Sequence, residues 1–207
     1  MDNGYPAVVD QQPLSDILMN PPVSFTEPSL VDTAMELHAR HSFYGGKAQQ
    51  SCGDVFQSID PSNGKILAEI HSSTDKDLRG AIDSASAAFP IWSTTTPVVR
   101  GRILLKAAQL LRERNDELAK LETADTGKPF SETSAVDIVT GADVVEFFAG
   151  LVIGGGLNGE TIQLRPDAWV YTRKEPLGVC VGIGAWNYPI QMQVILFPKS
   201  HWRVSDY

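Results

Sequence analysis

The sequence predicts an α/β fold on the basis of two contrasting patterns. Between residues 74 and 150, apolar side chains recur every three or four positions, which is typical of amphipathic helices. Residues 177–183 instead form an almost continuous apolar run that includes Gly178 and Gly182, which is typical of a strand buried on both faces of a parallel sheet. We therefore expect helices and hairpins followed by the first strand of a parallel sheet.

Composition and charge exclude several classes of protein. The chain has 207 residues, of which 43% are hydrophobic and 20% charged, as in ordinary globular domains. No apolar run approaches the ~20 residues that a membrane span requires. A net charge of -8 with no basic cluster disfavours a nucleic-acid partner, so small molecules or proteins are the expected ligands.

The cysteines and the first residues bear on location. Cys52 and Cys180 lie far apart without CxxC spacing, so we predict neither a disulfide framework nor a metal site, and a reducing compartment. Residues 1–50 carry six acidic residues against Arg40 and Lys47, unlike a transit peptide, and they lack the apolar centre of a signal peptide. We expect a cytoplasmic protein.

The first elements follow from turn and cap residues. Scattered prolines predict that residues 1–40 are a largely flexible extension. Two β-rich runs flank the turn signal at residues 61–64, which predicts a hairpin. Four helices should follow, ending near Pro90, before Gly127 and at Gly150. Their expected caps or first residues are Thr74, Pro97, Asn115 and Ser131.

A second hairpin is predicted between the helices and the apolar run. Residues 161–164 and 168–175 are rich in β-branched and aromatic side chains and are separated by a turn at 165–167. The apolar run then ends in the sequence GIGAWNYP, at residues 182–189. Ligands of α/β folds bind at the carboxyl ends of such strands, so this loop is the main candidate site.

The local sequence allows two interpretations of Asn187. It stands where the dinucleotide fingerprint GxGxxG would have its third glycine, which weakens a phosphate-loop interpretation. A fixed side-chain amide can instead donate a hydrogen bond to an oxyanion formed at a carbonyl, a contribution worth ~3 kcal/mol. The alternative is a helix cap before Pro189.

Other candidates also have structural alternatives. Trp186 and Tyr188 can stack on a cofactor or surround a quaternary ammonium group, or can simply be core residues. Cys180 lies within the apolar run with no histidine or cation near it, so it is interpreted as structural. The carboxylate of Asp125 can contribute to a cation site, although a helix terminus explains that segment without a ligand.

Several long motifs together resemble one family. In order they are FxxIDPSNGKILAEI, AAFPIW, RGRILLKAAQLLRERNDELAKLETADTGKP, DVVEFFAGL and RKEPLGVCVGIGAWNYP. Over about residues 41–191 this order resembles the N-terminal part of the NAD(P)-dependent aldehyde dehydrogenases, closest to the betaine-aldehyde and 4-trimethylaminobutyraldehyde branch. The resemblance implies helices and β-hairpins followed by the first strand of an incomplete Rossmann-like parallel sheet.

The resemblance also implies roles for individual residues. Asn187 matches the asparagine that stabilises the substrate oxyanion, and Tyr188 matches an aromatic residue of the substrate tunnel. Asp125 matches a position at a monovalent-cation site. The positions that match residues touching NAD or NADP are Ile183, Ala185 and Trp186.

The resemblance implies the following organisation. Residues 41–160 form the helical and hairpin part of the cofactor-binding domain. Residues 161–175 form an oligomerisation arm that pairs identical subunits, and residues 176–191 form the first nucleotide-fold strand and the oxyanion loop. Residues 192–207 match no family pattern, so we expect a non-family tail.

No position of this sequence matches the family's catalytic cysteine or its general-base glutamate. The family oxidises aldehydes, here betaine aldehyde or another aminoaldehyde, to carboxylic acids with NAD or NADP. We therefore expect this chain to be inactive alone and expect cofactor binding by it alone to be doubtful. The alternatives are a binding or regulatory role on full-length subunits, or a truncated or mispredicted gene product.

Overall fold

The computed structural model describes residues 41–193. The predicted extension 1–40 and all but the first two residues of the predicted tail 192–207 lie outside the described residues. None of the helices within residues 41–193 has the length and apolar character needed to cross a membrane.

Within residues 41–193, six strands form three separate antiparallel hairpins. The hairpin predicted around residues 61–64 is confirmed, and so is the one that follows the helices. The second arm of the latter ends at Tyr171, short of the predicted residue 175. The strands are β1 Phe43–Tyr44, β2 Lys47–Ala48, β3 Val55–Ile59, β4 Ile66–His71, β5 Thr161–Arg165 and β6 Ala168–Tyr171.

The helical part lies between the second and third hairpins. A π-helical turn, Thr133–Asp137, interrupts what the sequence predicts as one continuous fourth helix. There the amide of Ile138 donates to the carbonyl of Thr133, five residues back, which adds one residue to the turn. The helices are α1 Asp75–Thr94, α2 Pro97–Glu113, α3 Asn115–Thr126, α4 Phe130–Glu132 and α5 Ile138–Ile153.

The helix termini test the predicted caps. Thr74 forms a complete capping box with Asp77, and Gly127 ends α3 in the left-handed conformation with φ 76°, as predicted. The predicted cap at Asn115 is wrong, because Arg114 holds that position and the Asn115 amide donates to the carbonyl of Ser134 at 2.9 Å. This bond ties the start of α3 to the π-helical turn.

The core lies between α2 and α5. Its buried side chains are Leu104, Ala108, Val145, Ala149 and Val152. Ala107 and Leu111 pack at the edge of this core, while Leu110 on the same helix is 43% exposed. The face of α2 that meets α5 is therefore centred on Leu104 and Ala108.

The strand predicted at residues 177–183 is absent from the described part of the chain, where residues 172–185 belong to no helix or strand. A buried strand requires hydrogen-bonded neighbours on both sides, and residues 41–193 supply none for it. As a result Ile183 is 94% exposed, and Cys180, predicted to be buried, is exposed.

Candidate active site

The candidate loop lies at the end of the described chain, between the extended segment and a helical turn at residues 189–193. The carbonyl of Tyr188 accepts the first helical hydrogen bond, from the Met192 amide at 2.9 Å. Tyr188 therefore holds the cap position that local sequence allowed for Asn187. The Asn187 side chain is exposed at the turn, where its amide is accessible to a ligand.

The residues expected to touch a cofactor share this exposed loop. Trp186 is 88% exposed, and Ile183 and Ala185 are exposed as well. Exposed apolar side chains that lie close together are typical of binding surfaces, so these positions can contact another molecule. Their contact with a nicotinamide cofactor stays a prediction.

One face of the Tyr188 ring contacts a cation. The ammonium nitrogen of Lys128 lies 3.5 Å from the centre of the Tyr188 ring, which is a close cation–π contact. Lys128 follows the left-handed Gly127 at the end of α3, so the helix terminus directs this side chain toward the loop. The ring is half-buried, and its face toward Lys128 is already occupied.

Beneath the loop lies a buried charged cluster, which we define as Glu122, Lys128 and Asp137. The Lys128 ammonium pairs with Asp137 Oδ2 at 2.7 Å and lies 3.9 Å from Glu122 Oε1. Both carboxylate side chains are fully buried, whereas Lys128 retains some exposure. One cation therefore faces two carboxyl groups in a desolvated place.

Electrostatics make Glu122 easier to protonate than an ordinary carboxyl. Burial and then the neighbouring Asp137 raise its pKa, the Ile190 amide and the Lys128 charge lower it, and the net effect is a rise from 4.5 to about 7. The charge balance of the cluster agrees, since Lys128 can neutralise only one of the two carboxylates.

The cluster and its neighbours hold the chain just after Asn187. The Ile190 amide donates to Glu122 Oε2 at 3.3 Å, across 68 residues of sequence. One residue on, the Gln191 side-chain amide donates to Thr140 Oγ1 at 2.8 Å. The start of the helical turn is thus fixed to both α3 and α5.

Sequence reasoning missed this cluster. The available signal was a carboxylate on the apolar face of α3, because Glu122 follows the fully buried Ala119 by three residues. A buried carboxylate needs a partner, and Lys128 is the next cation along the chain. The contribution of Asp137 depends on the π-helical turn, for which the sequence carries no comparable signal.

Asp125 lies on α3 and faces the β3–β4 hairpin. Its Oδ1 accepts a hydrogen bond from the Ser58 hydroxyl at 2.8 Å, which links β3 to the helix. Within residues 41–193 no group of three or more histidine, cysteine or acidic side chains could hold a metal ion. The expected role of Asp125 at a monovalent-cation site stays a prediction.

Comparison with known proteins identifies the family. The model of the aldehyde dehydrogenase family matches residues 47–198, which is more than half of the chain. The chain belongs to the aldehyde dehydrogenase family. The match includes every candidate site residue, and it also covers residues 192–198 of the predicted non-family tail. The boundary placed at residue 191 stays a prediction.

Several solved protein structures share the fold. An aldehyde dehydrogenase from Bacillus cereus, solved as a point mutant, is 29% identical with a TM-score of 0.73, over 79% of this chain and 33% of its own. An apo indole-3-acetaldehyde dehydrogenase is 32% identical with a TM-score of 0.70, over 77% of this chain and 36% of its own. PnpE in complex with nicotinamide adenine dinucleotide is 26% identical with a TM-score of 0.72, over 78% of this chain and 33% of its own.

The chain spans about a third of the length of each of these proteins. The matched region is the N-terminal part of the aldehyde dehydrogenase fold, as the sequence predicts. It consists of helices and small sheets. The family uses NAD or NADP, and PnpE was solved with the former.

Proposed function

We propose that this chain supplies the oxyanion donor of an NAD(P)-dependent aldehyde dehydrogenase, an oxidoreductase that converts an aldehyde to its carboxylic acid. The observation that carries the proposal is the exposed amide of Asn187 on a loop that the family match includes and that buried side chains hold in place. An amide on such a loop can donate a hydrogen bond to an oxygen that gains negative charge during the reaction.

In this reaction the described residues would contact the cofactor and stabilise the substrate oxygen. A nicotinamide cofactor, when bound, would supply the acceptor for the hydride that this oxidation removes from the substrate carbon. The exposed side chains of Ile183, Ala185 and Trp186 fit a role in contacting that cofactor. Asn187 would donate to the substrate oxygen as it gains negative charge. The thiolate nucleophile and the general base that complete such chemistry match no residue of this sequence.

The substrate we propose is betaine aldehyde or another aminoaldehyde. The motif EPLGVCVGIGAWNYP favours that branch, and Tyr188 offers a chemical reason for it. One face of the ring already binds an ammonium group, that of Lys128. The opposite face can attract a quaternary ammonium by the same quadrupole interaction.

We further propose that the chain is catalytically inactive alone, that it acts in the cytoplasm, and that full activity requires the parts present in longer family members. A second candidate function is association with full-length subunits without catalysis. It is favoured by the β5–β6 hairpin, where Leu164, Trp169 and Tyr171 are all largely exposed. Such side chains are typical of surfaces that another subunit covers.

The first step of the test is to sequence the transcript across the codons for residues 191–207 and beyond. The protein it encodes is then expressed and assayed with betaine aldehyde and with an uncharged aldehyde of similar size. If a longer protein is encoded, we expect a preference for betaine aldehyde, and we expect Asn187→Ala to lower kcat by about 10²–10³-fold.

Asn63→Ala is a matched control, because Asn63 lies in the exposed β3–β4 turn and donates to Asp60. It should leave kcat unchanged. A longer protein in which Asn187→Ala keeps full activity would refute the assigned role. Equal activity on both aldehydes would refute the proposed substrate class. Co-purification of the 207-residue chain with a full-length enzyme would favour the second function.

A further inference from the structure

The charged cluster joins three separated parts of the chain. Glu122 comes from α3, Asp137 from the π-helical turn, and Lys128 from the segment between them. The whole residue Glu122 is only 2% exposed and Asp137 is fully buried. Carboxyl groups at such depth persist only where hydrogen bonds or opposite charges compensate the lost water.

One oxygen of each of the two carboxyls lacks a hydrogen-bond donor. Within the described residues, Glu122 Oε1 and Asp137 Oδ1 are both buried and neither accepts a hydrogen bond from an N–H or hydroxyl group. Both carboxyls face the same ammonium nitrogen, that of Lys128, which lies 2.7 Å from Asp137 Oδ2 and 3.9 Å from Glu122 Oε1. A single proton between them satisfies both oxygens and leaves one negative charge, which Lys128 neutralises.

The remaining atoms of the cluster contact the loop. Glu122 Oε2 accepts from the Ile190 amide, and Lys128 lies against the Tyr188 ring. Asn187 immediately precedes Tyr188 and is itself exposed, so its position depends on how these two neighbours are held. The cluster therefore contacts the chain at Tyr188 and Ile190, directly after Asn187.

We propose that Glu122 is a positioning residue, whose protonated carboxyl donates to Asp137 and accepts from the Ile190 amide, and so fixes the segment that carries Asn187. The value of this for aldehyde oxidation rests on the proposed function, whereas the anchoring itself does not. Loss of the proton places a second negative charge beside Asp137. The Glu122–Asp137 bond is then lost, and the segment is less firmly held.

The groups facing Glu122 can be named for each packed element. Asp137 faces it from the π-helical turn, Lys128 from the segment after α3, and the Ile190 amide from the helical turn. Tyr188 faces Lys128. With the burial of Glu122, these groups place its titration near neutral pH.

The experiment uses the 207-residue chain and records proton–nitrogen NMR spectra from about pH 5 to about pH 9. The signals followed are the backbone amide of Ile190 and the side-chain amide of Asn187. Both should titrate with one shared midpoint near 7. In Glu122→Gln the titration should vanish, because the amide can accept from Ile190 and donate to Asp137 without carrying an ionisable proton.

Glu113→Gln is the matched control, since Glu113 is exposed and accepts only from Gln109 among the side chains described. It should retain the wild-type titration. Asp137→Asn is a second variant that removes the neighbouring charge, and it should lower the midpoint by at least about one pH unit. This variant and the wild-type titration decide the matter if Glu122→Gln does not fold.

Signals of Ile190 and Asn187 that do not change with pH would overturn the proposal, as would a titration that persists in Glu122→Gln. A residue that only filled space would leave no pH dependence at the Asn187 amide. Because the spectra need no aldehyde, the two proposals fail separately. A normal titration in a protein whose activity ignores Asn187→Ala refutes the oxyanion role alone, and an active, Asn187-dependent enzyme without the titration refutes the anchor alone.

Discussion

Gly101 lies at a close contact between α2 and α5, and an alanine there tests the packing of the core. A Cβ atom would overlap Ile153 Cγ1 and stand 2.7 Å from Ile153 Cδ1 and 3.2 Å from the carbonyl oxygen of Ala149. The Ala149 carbonyl belongs to the helix backbone and cannot rotate away, so the helices must separate or Ile153 must leave its position. Overpacking of this kind costs about 1–3 kcal/mol.

The opposing term is helix propensity. Gly to Ala inside a helix stabilises it by about 1 kcal/mol. Gly150→Ala isolates that gain, because a Cβ at Gly150 meets no atom within 4 Å. Gly150→Ala should raise the free energy of unfolding by about 1 kcal/mol, and Gly101→Ala should fall below it by about 1–3 kcal/mol.

Urea unfolding followed by far-ultraviolet circular dichroism measures both variants beside the wild type. We expect the midpoint of Gly101→Ala to lie below that of Gly150→Ala, with similar slopes. Equal stabilisation by the two substitutions would refute the close contact between α2 and α5.

Three further predictions concern pH and capping. Because the folded state raises the pKa of Glu122 from 4.5 to about 7, the contribution of Glu122 to stability should be fully present below pH 4.5 and be lost as the pH rises to about 7. A shift of this size corresponds to at most ~3 kcal/mol. Glu122→Gln should abolish the decline, and a parallel decline in that variant would contradict the assignment. Thr74→Ala should cost about 1 kcal/mol in urea unfolding, because Thr74 Oγ1 accepts from the Asp77 amide; unchanged stability would contradict this. Hydrogen bonds from Thr74 and Ser51 lower the pKa of Asp77, so its contribution should be lost only in acid, as pH falls through that lowered value.

Features that depend on neighbouring residues could be predicted from the sequence. The capping box at Thr74, the helix start at Pro97 and the left-handed Gly127 each follow from the conformational preferences of a few adjacent residues. The hairpin turn at residues 61–64 is similar, because Asp60 accepts hydrogen bonds from the amide and hydroxyl of Ser62. Asn115 shows the limit of such reasoning, since a distant carbonyl captures the side chain that would have capped the helix.

Features that depend on distant contacts could not be predicted. The apolar run at residues 177–183 carries a strand pattern, yet a strand forms only where neighbouring strands pair with it, and residues 41–193 supply none. The convergence of Glu122 and Asp137 on Lys128 requires the π-helical turn, whose extra residue shifts the helix register. For Asn187 the sequence identified the loop, and the side chains that hold the loop came only from the structure.

Incubation of the purified 207-residue chain with betaine aldehyde and NAD or NADP tests most directly whether this part of an aldehyde dehydrogenase can act without a nucleophile and a general base. We predict no reduced nicotinamide above a protein-free blank, while an intact aldehyde dehydrogenase assayed in parallel is active. Formation of reduced nicotinamide in proportion to the amount of chain, and its loss in Asn187→Ala, would contradict the claim that these residues supply only the oxyanion donor.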